Sequence, residues 1–315
     1  SPLPGPKGPV LPPMLASLTG GECKANHTGT VYGPAMSVLL ALAAALCWGT
    51  GDFMGGVASR RGGRVDAVTL GAQITGFVTF IPIALTFGGS MSLSDFWWAF
   101  GSGMSAGVAI FLLYFGFTKT HTGVVAPTAA ILTAAIPALF GLITGDDLTP
   151  IQFVGISIAL AAIWLISRAG TTATPFDANV SLGVLFGLGA GIGFGLMFIG
   201  LDQLADDSAV LAVLPLRFGG IVAVFTVSLF RRSPMRPEHS TIALIAGSGF
   251  IGSLGNLAFI VATARGALAI VSVVASLFPA ATVGLAYLFV GERLSRLQRI
   301  GVVAALLAVA LVSST

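Results

Sequence analysis

The sequence predicts an all-α membrane protein of ten transmembrane helices built as two inverted five-helix repeats, and three observations carry that expectation. Of 315 residues, 55% are hydrophobic and 9% charged, with a mean hydropathy of +0.97, values that a chain with water as its main solvent does not sustain. Apolar stretches of about 18 to 24 residues recur from Met36 onward, and each crosses a hydrocarbon layer of about 30 Å as a helix, the form that satisfies its own backbone in lipid. The second half also repeats the first at a fixed offset.

The apolar runs place spans 1 to 10 at 36–58, 66–88, 94–118, 123–144, 150–168, 181–201, 209–230, 241–264, 268–290 and 296–313. Their short connections make neighbours antiparallel. Residues 1–35 hold Pro, Gly, Thr and Ser without periodicity and lack the charged start and apolar run of a secretory signal; they read as a disordered tail or a remnant of cloning. Asn26-His27-Thr28 is a formal glycosylation acceptor of a kind common by chance. The longest polar gap, with Gly170-Thr171-Thr172 and Pro175, marks a linker at 169–180 between a first repeat at 36–168 and a second at 181–313.

Sliding the second half back by 146 residues lays Gly247-Ser248-Gly249 on Gly101-Ser102-Gly103. Gly291, Leu294, Gln298 and Gly301 then meet Gly145, Leu148, Gln152 and Gly155, and Glu292, Ser295 and Arg265 meet Asp146, Thr149 and Lys119. Phe194-Gly195 meets Trp48-Gly49. One offset therefore holds for the first, third, fourth and fifth spans of each half. Five crossings per repeat is an odd number, so the second copy enters the membrane in the opposite sense. Inverted repeats have two nearly equivalent packings, the basis of alternating access to a central site.

The net charge of +3 does not indicate nucleic acid. Its basic residues flank apolar spans, as the positive-inside rule requires. Arg60, Arg61, Arg64, Lys119, Arg168, Arg231, Arg232, Arg236, Arg293, Arg296 and Arg299 follow the odd-numbered spans. The other side carries Arg265 with Asp146, Asp147, Asp206 and Asp207; taken at face value this turns both termini outward, in a protein expected to be a multi-pass protein of a bacterial cell membrane. Cys23 and Cys47 are too differently placed for a structural disulfide, and His27, His121 and His239 have no ligand-like spacing, so neither a metal nor a cofactor is expected.

Gly291-Glu292-Arg293-Leu294-Ser295, followed by Gln298, Gly301 and a last apolar helix, resembles the end of an EamA domain of the drug/metabolite transporter superfamily. Gly145-Asp146-Asp147-Leu148-Thr149 with Gln152 and Gly155 is the matching end of the first domain. Trp48-Gly49, Ala264-Arg265-Gly266 and Pro279 extend the resemblance over about residues 36 to 313. It implies a central cavity formed mainly by spans 1, 3, 4, 6, 8 and 9, and movement of metabolites such as amino acids. The first repeat departs from the pattern with Asp146-Asp147 for Glu-Arg and Thr133 for Pro279.

Six side chains are the candidates for substrate binding. Asp52 lies inside span 1, where a charge costs about 2.5–3.5 kcal/mol to insert. It is either a proton or cation site, placed like the span 1 carboxylate of small multidrug resistance proteins, or an interfacial acid if the helix ends at Thr50-Gly51. Arg217 binds an anionic group, pairs with Asp52, or is a snorkelling or structurally paired arginine near an interface; Gln73 at the approximately matching place in span 2 favours a structural polar contact for both. Trp48 and Phe194 offer aromatic faces, and Tyr114 and Asn256 polar reach; each has a packing alternative. Thr133, Ser272 and Ser276 line the same space or bond back to their own helices. Gly187, Gly189, Gly191, Gly193 and Gly195 read as close helix packing rather than a phosphate loop.

The expectation is a secondary transporter of a small organic, amino-acid-like solute. A proton-coupled multidrug exporter working through Asp52 is the alternative. An intramembrane lipid-processing enzyme stands further off, since the spans carry no Ser/His/Asp, Cys/His or metal constellation.

Overall fold

The computed structural model describes residues 34–61, 64–120, 122–167, 178–233, 235–290 and 295–313. Among them every regular element is helical. The helices are α1 (Pro34–Arg60), α2 (Val65–Phe87), α3 (Leu93–Lys119), α4 (Thr122–Thr144), α5 (Pro150–Ser167), α6 (Ala178–Asp202), α7 (Ala209–Phe230), α8 (Ile242–Thr263), α9 (Leu268–Ala275), α10 (Phe278–Leu285) and α11 (Arg296–Val312). Eight helical stretches are long and apolar enough to cross a membrane, the last being Leu268–Phe289 across α9 and α10; Pro150–Ile166 is a shorter apolar helix. Helix α11 has 17 residues, about 25 Å at the usual helical rise. Cys23, His27, the Asn26-His27-Thr28 triplet, His121, residues 168–177 and Gly291-Glu292-Arg293-Leu294 lie outside the described residues. Cys47 is free and half-buried.

The motifs that repeat at the ends of the two halves are helix starts. Gln152 N–H donates to Thr149 Oγ1 (3.3 Å) while Thr149 N–H donates to Gln152 Oε1 (2.9 Å). Ser295 and Gln298 reproduce the exchange at 3.2 and 2.9 Å. Each is a capping box that satisfies otherwise unpaired N–H groups of a first turn, at α5 and at α11. These two short helices pack on each other. A side chain at Gly155 would strike Val312 and one at Gly301 would strike Ile166, and the two contacts interchange under the offset of 146 residues.

Most of the packing around the centre has the same symmetry. Helix α1 packs on α8 as α6 packs on α3, α2 on α8 as α7 on α3, and α1 on α9 and α10 as α6 on α4. Gly103 lies against the Leu216 carbonyl and Gly249 against the Ala72 carbonyl. Leu216 and Ala72, like Gly220 and Gly76 or Arg217 and Gln73, are 144 residues apart, so α2 and α7 obey a second offset. The glycines of α6 serve two seams: Gly187, Gly191 and Gly195 touch Thr128, Leu132 and Ile136 of α4, while Gly189 and Gly193 touch Leu112 and Ala109 of α3.

Polar contacts identify the two ends of the bundle. At one end Arg231, after α7, pairs with buried Asp66 in the first turn of α2 at 3.3 Å. Its guanidinium lies 5.0 and 4.6 Å from the ring centres of Phe111 and Phe115 of α3. At the other end Asp95, in the first turn of α3, accepts from Ala205 N–H between α6 and α7 (3.1 Å). The start of α2 and the end of α7 therefore share one end, so the two helices run antiparallel.

The expected ninth span differs from the rest. It stops after Ala275 and restarts at Phe278, with Pro279 in the new first turn. Proline donates no hydrogen bond and crowds the carbonyl four residues back, yet α4, with Thr133 in the matching place, stays unbroken across Pro127 and Pro137, so the break is set by the position of Pro279 and not by proline alone. All of α9 is buried and none of α10 is, and a single π-helical turn, Ala286–Val290, follows. Helix α9 begins against Asp146, which accepts from Ala269 N–H at 2.8 Å and so holds an acid at a helix N-terminus.

Because Gly103 and Gly249 touch backbone, Gly103→Ala and Gly249→Ala are each expected to destabilise the fold by about 1–3 kcal/mol, the usual cost of overpacking. Gly101 faces open space, so Gly101→Ala should be neutral or gain up to about 1 kcal/mol. Thermal unfolding in detergent checks the contrast, and equal damage at all three positions would remove the seam as its cause.

Candidate functional site

A cavity of about 150 Å³ lies between the two halves. Trp48, Asp52, Tyr114, Phe194, Arg217 and Asn256 all line it, from α1, α3, α6, α7 and α8. Thr133 of α4 and Phe278 of α10 reach it too. Helices α2, through Val68, Thr69, Ala72 and Gln73, and α7, through Leu216 and Arg217, also contribute wall, which the resemblance did not imply. Ser272 and Ser276 are buried in or beside α9 and stay out of it: Ser272 Oγ donates back to the Ala269 carbonyl (3.3 Å), and Ser276 Oγ is buried without a partner.

The apolar part of the wall is an aromatic cluster. The Trp48 indole stacks on Phe198 with ring centres 5.2 Å apart and lies 5.5 Å from Phe259. Its Nε1–H donates to Asn256 Oδ1 at 2.9 Å, which gives a buried amide the partner that a low-dielectric setting requires. Gly49, next in the chain, lets α10 approach until Thr282 Oγ1 donates to its carbonyl (3.0 Å). Phe194-Gly195 repeats this arrangement in apolar form, with Gly195 against Ile136 and Ile110 at the counterpart of Asn256.

The polar part begins one turn further along α1. The helix runs on to Arg60, so Asp52 sits within it and not at an early terminus. Its carboxylate faces the cavity and makes no hydrogen bond among the described residues. The hydroxyls of Tyr114 and Ser248 both approach α1 at Gly55, and Ser248 Oγ donates to the Gly51 carbonyl at 2.8 Å.

Arg217 does not pair with Asp52. Its Nε–H donates to Ser253 Oγ (2.9 Å), Nη1 to Gln73 Oε1 (2.8 Å) and Nη2 to the Gly249 carbonyl (3.2 Å). The guanidinium is thus held by neutral acceptors, one of them Gln73 at the matching place in α2. Thr133 Oγ1 bonds back to the Ala129 carbonyl (2.8 Å) while lining the cavity. Sequence reasoning did not single out Thr69, Phe198 or Phe278, and used Ser248 only to align the repeats.

Compared with known proteins, the chain is matched twice by the EamA-like transporter family, over residues 35–168 and 181–314. A solved structure described only as "Crystal structure of protein" shares the fold, with a TM-score of 0.70 and 16% identity, covering 87% of this chain and 95% of that one. None of the curated proteins searched matches it. With two matches that span most of its length and helices apolar enough for a multi-pass membrane protein, the chain belongs to the EamA-like transporter family of the drug/metabolite transporter superfamily.

Proposed function

We propose that the chain is a secondary transporter of ten spans, in two inverted repeats joined at 169–180, that exposes the central cavity to each face of a bacterial cell membrane in turn. The observation that carries this reading is the convergence of Trp48, Asp52, Tyr114, Phe194, Arg217 and Asn256 on one cavity between two halves packed by the same rules. The aromatic faces and the polar groups beside them suit a small organic solute with an apolar body and a polar, amino-acid-like end. The antiparallel course of α2 and α7 supports the inverted arrangement. A second reading, proton coupling, is favoured by Asp52, an acid facing the cavity without a hydrogen-bond partner among the described residues.

The purified protein in liposomes should move a solute without changing it, and a competition panel of metabolites and dyes identifies which one; conversion of lipid instead would sink the reading. Asp52→Asn is expected to lower pH-gradient-driven uptake at least tenfold while leaving thermal stability intact. Full retention of that uptake removes proton coupling through Asp52. Cysteines introduced at exposed Asp147 and Arg296 should react with an impermeant maleimide from opposite faces, because the ends of inverted repeats lie on opposite sides. Labelling from the same face contradicts the inversion.

A further inference from the structure

Position 102 corresponds to position 248, and position 51 to position 197, under the offset of 146 residues. Ser248 Oγ donates to the Gly51 carbonyl at 2.8 Å and fastens α8 to α1 beside the cavity. The matching bond, from Ser102 on α3 to the Met197 carbonyl on α6, is not made. Ser102 is 4% exposed, and its Oγ is buried without a partner. The hydroxyl nonetheless already faces α6, in contact with Gly200, one turn from Met197. A buried donor left unpaired is rare and costs stability, so its survival here needs a reason.

We propose that Ser102 and Ser248 form a two-position hydrogen-bond switch, in which the Ser248–Gly51 bond marks the state seen here and a Ser102–Met197 bond replaces it in the opposite-facing state. The inference rests on the alternating-access reading. When two pseudo-symmetric halves exchange conformations, a contact between equivalent residues maps onto itself. A contact between inequivalent residues maps onto a different pair. The Arg217–Gln73 bond, 2.8 Å between repeat-equivalent positions, is of the first kind and stays at the axis in both states. Ser248–Gly51 is of the second kind, and its image is Ser102–Met197. Main-chain carbonyls inside helices keep a second lone pair free for such a bond, as Gly51 demonstrates. Each state then satisfies one serine and orphans the other, which keeps the two states close in free energy.

The test uses the full chain with Cys23 and Cys47 changed to Ser and a Thr133→Cys reporter in the cavity, reconstituted in liposomes. An impermeant maleimide is added to one face or the other, and the ratio of the two labelling rates reads the balance of states. Removing Ser102 takes a bond from the opposite state alone, so Ser102→Ala should shift the ratio about fivefold toward the state seen here, the worth of one hydrogen bond. Ser248→Ala should shift it by a similar factor the other way, and the double variant should return near the parent. In detergent, Ser102→Ala should leave the melting temperature unchanged or raised, and Ser248→Ala should lower it. Shifts of the same sign, or an unmoved ratio in Ser102→Ala, overturn the switch. A parent reporter that labels from one face only overturns the alternating-access reading itself, a failure distinct from the first.

Discussion

Close backbone approach at glycine is the constraint on which this bundle depends. In hydrocarbon an apolar side chain gains little by meeting another helix instead of a lipid tail, so helices associate where small residues allow extensive van der Waals contact. Gly103 on Leu216, Gly249 on Ala72, Gly155 on Val312, Gly301 on Ile166 and five of the seven glycines of α6 provide such contacts. The cavity is the complement of these seams. It opens where Trp48, Phe194, Phe198 and Phe278 hold the helices apart between them.

The same solvent dictates where polar groups go. An unpaired donor or acceptor in lipid costs several kcal/mol, about what a helix contact supplies, so polar side chains bond back to their own helix, bridge two helices, or face the cavity. Thr69, Thr75 and Thr79 take the first course along α2. Arg217 takes the second, and with Gln73, Ser253 and Gly249 it builds a polar knot at the centre of the bundle. Asp52 takes the third. A charge that the protein leaves to the cavity is one that the occupant of the cavity, a solute, a proton or water, must answer.

Most of the helix boundaries were legible in the sequence because the limits of an apolar run coincide with the limits of a span, and they agree with the structure to within three residues at nearly every end. The repeat was legible because caps and seam glycines occur at fixed places. It was lost for α2 and α7 because their register slips to 144 residues while the spans on either side keep 146. The break at Ser276-Leu277 could not be read from hydropathy, which does not fall there; Pro279 marked the position and not the consequence. The six candidate residues were visible by rarity, as charged, amide or aromatic side chains among Ala, Gly, Val and Leu. Ser248 was hidden by the ordinariness of its type, since a helical serine usually bonds to its own backbone.

The motifs at the ends of the two repeats are remote from the cavity. Thr149, Gln152, Gly155 and their partners Ser295, Gln298 and Gly301 cap and pack α5 against α11, and neither helix lines the central space. Membership therefore fixes architecture and leaves the solute open. The cavity wall is where the two halves cease to match: Trp48 corresponds to Phe194, Asn256 to Ile110, Asp52 to Phe198 and Arg217 to Gln73. Perfect repeats would give a site that binds equally in two opposed orientations. In the proposed transporter, an acid on one half and an arginine on the other would remove that degeneracy and give a bound solute a single direction, so solute choice would reside in these departures from symmetry.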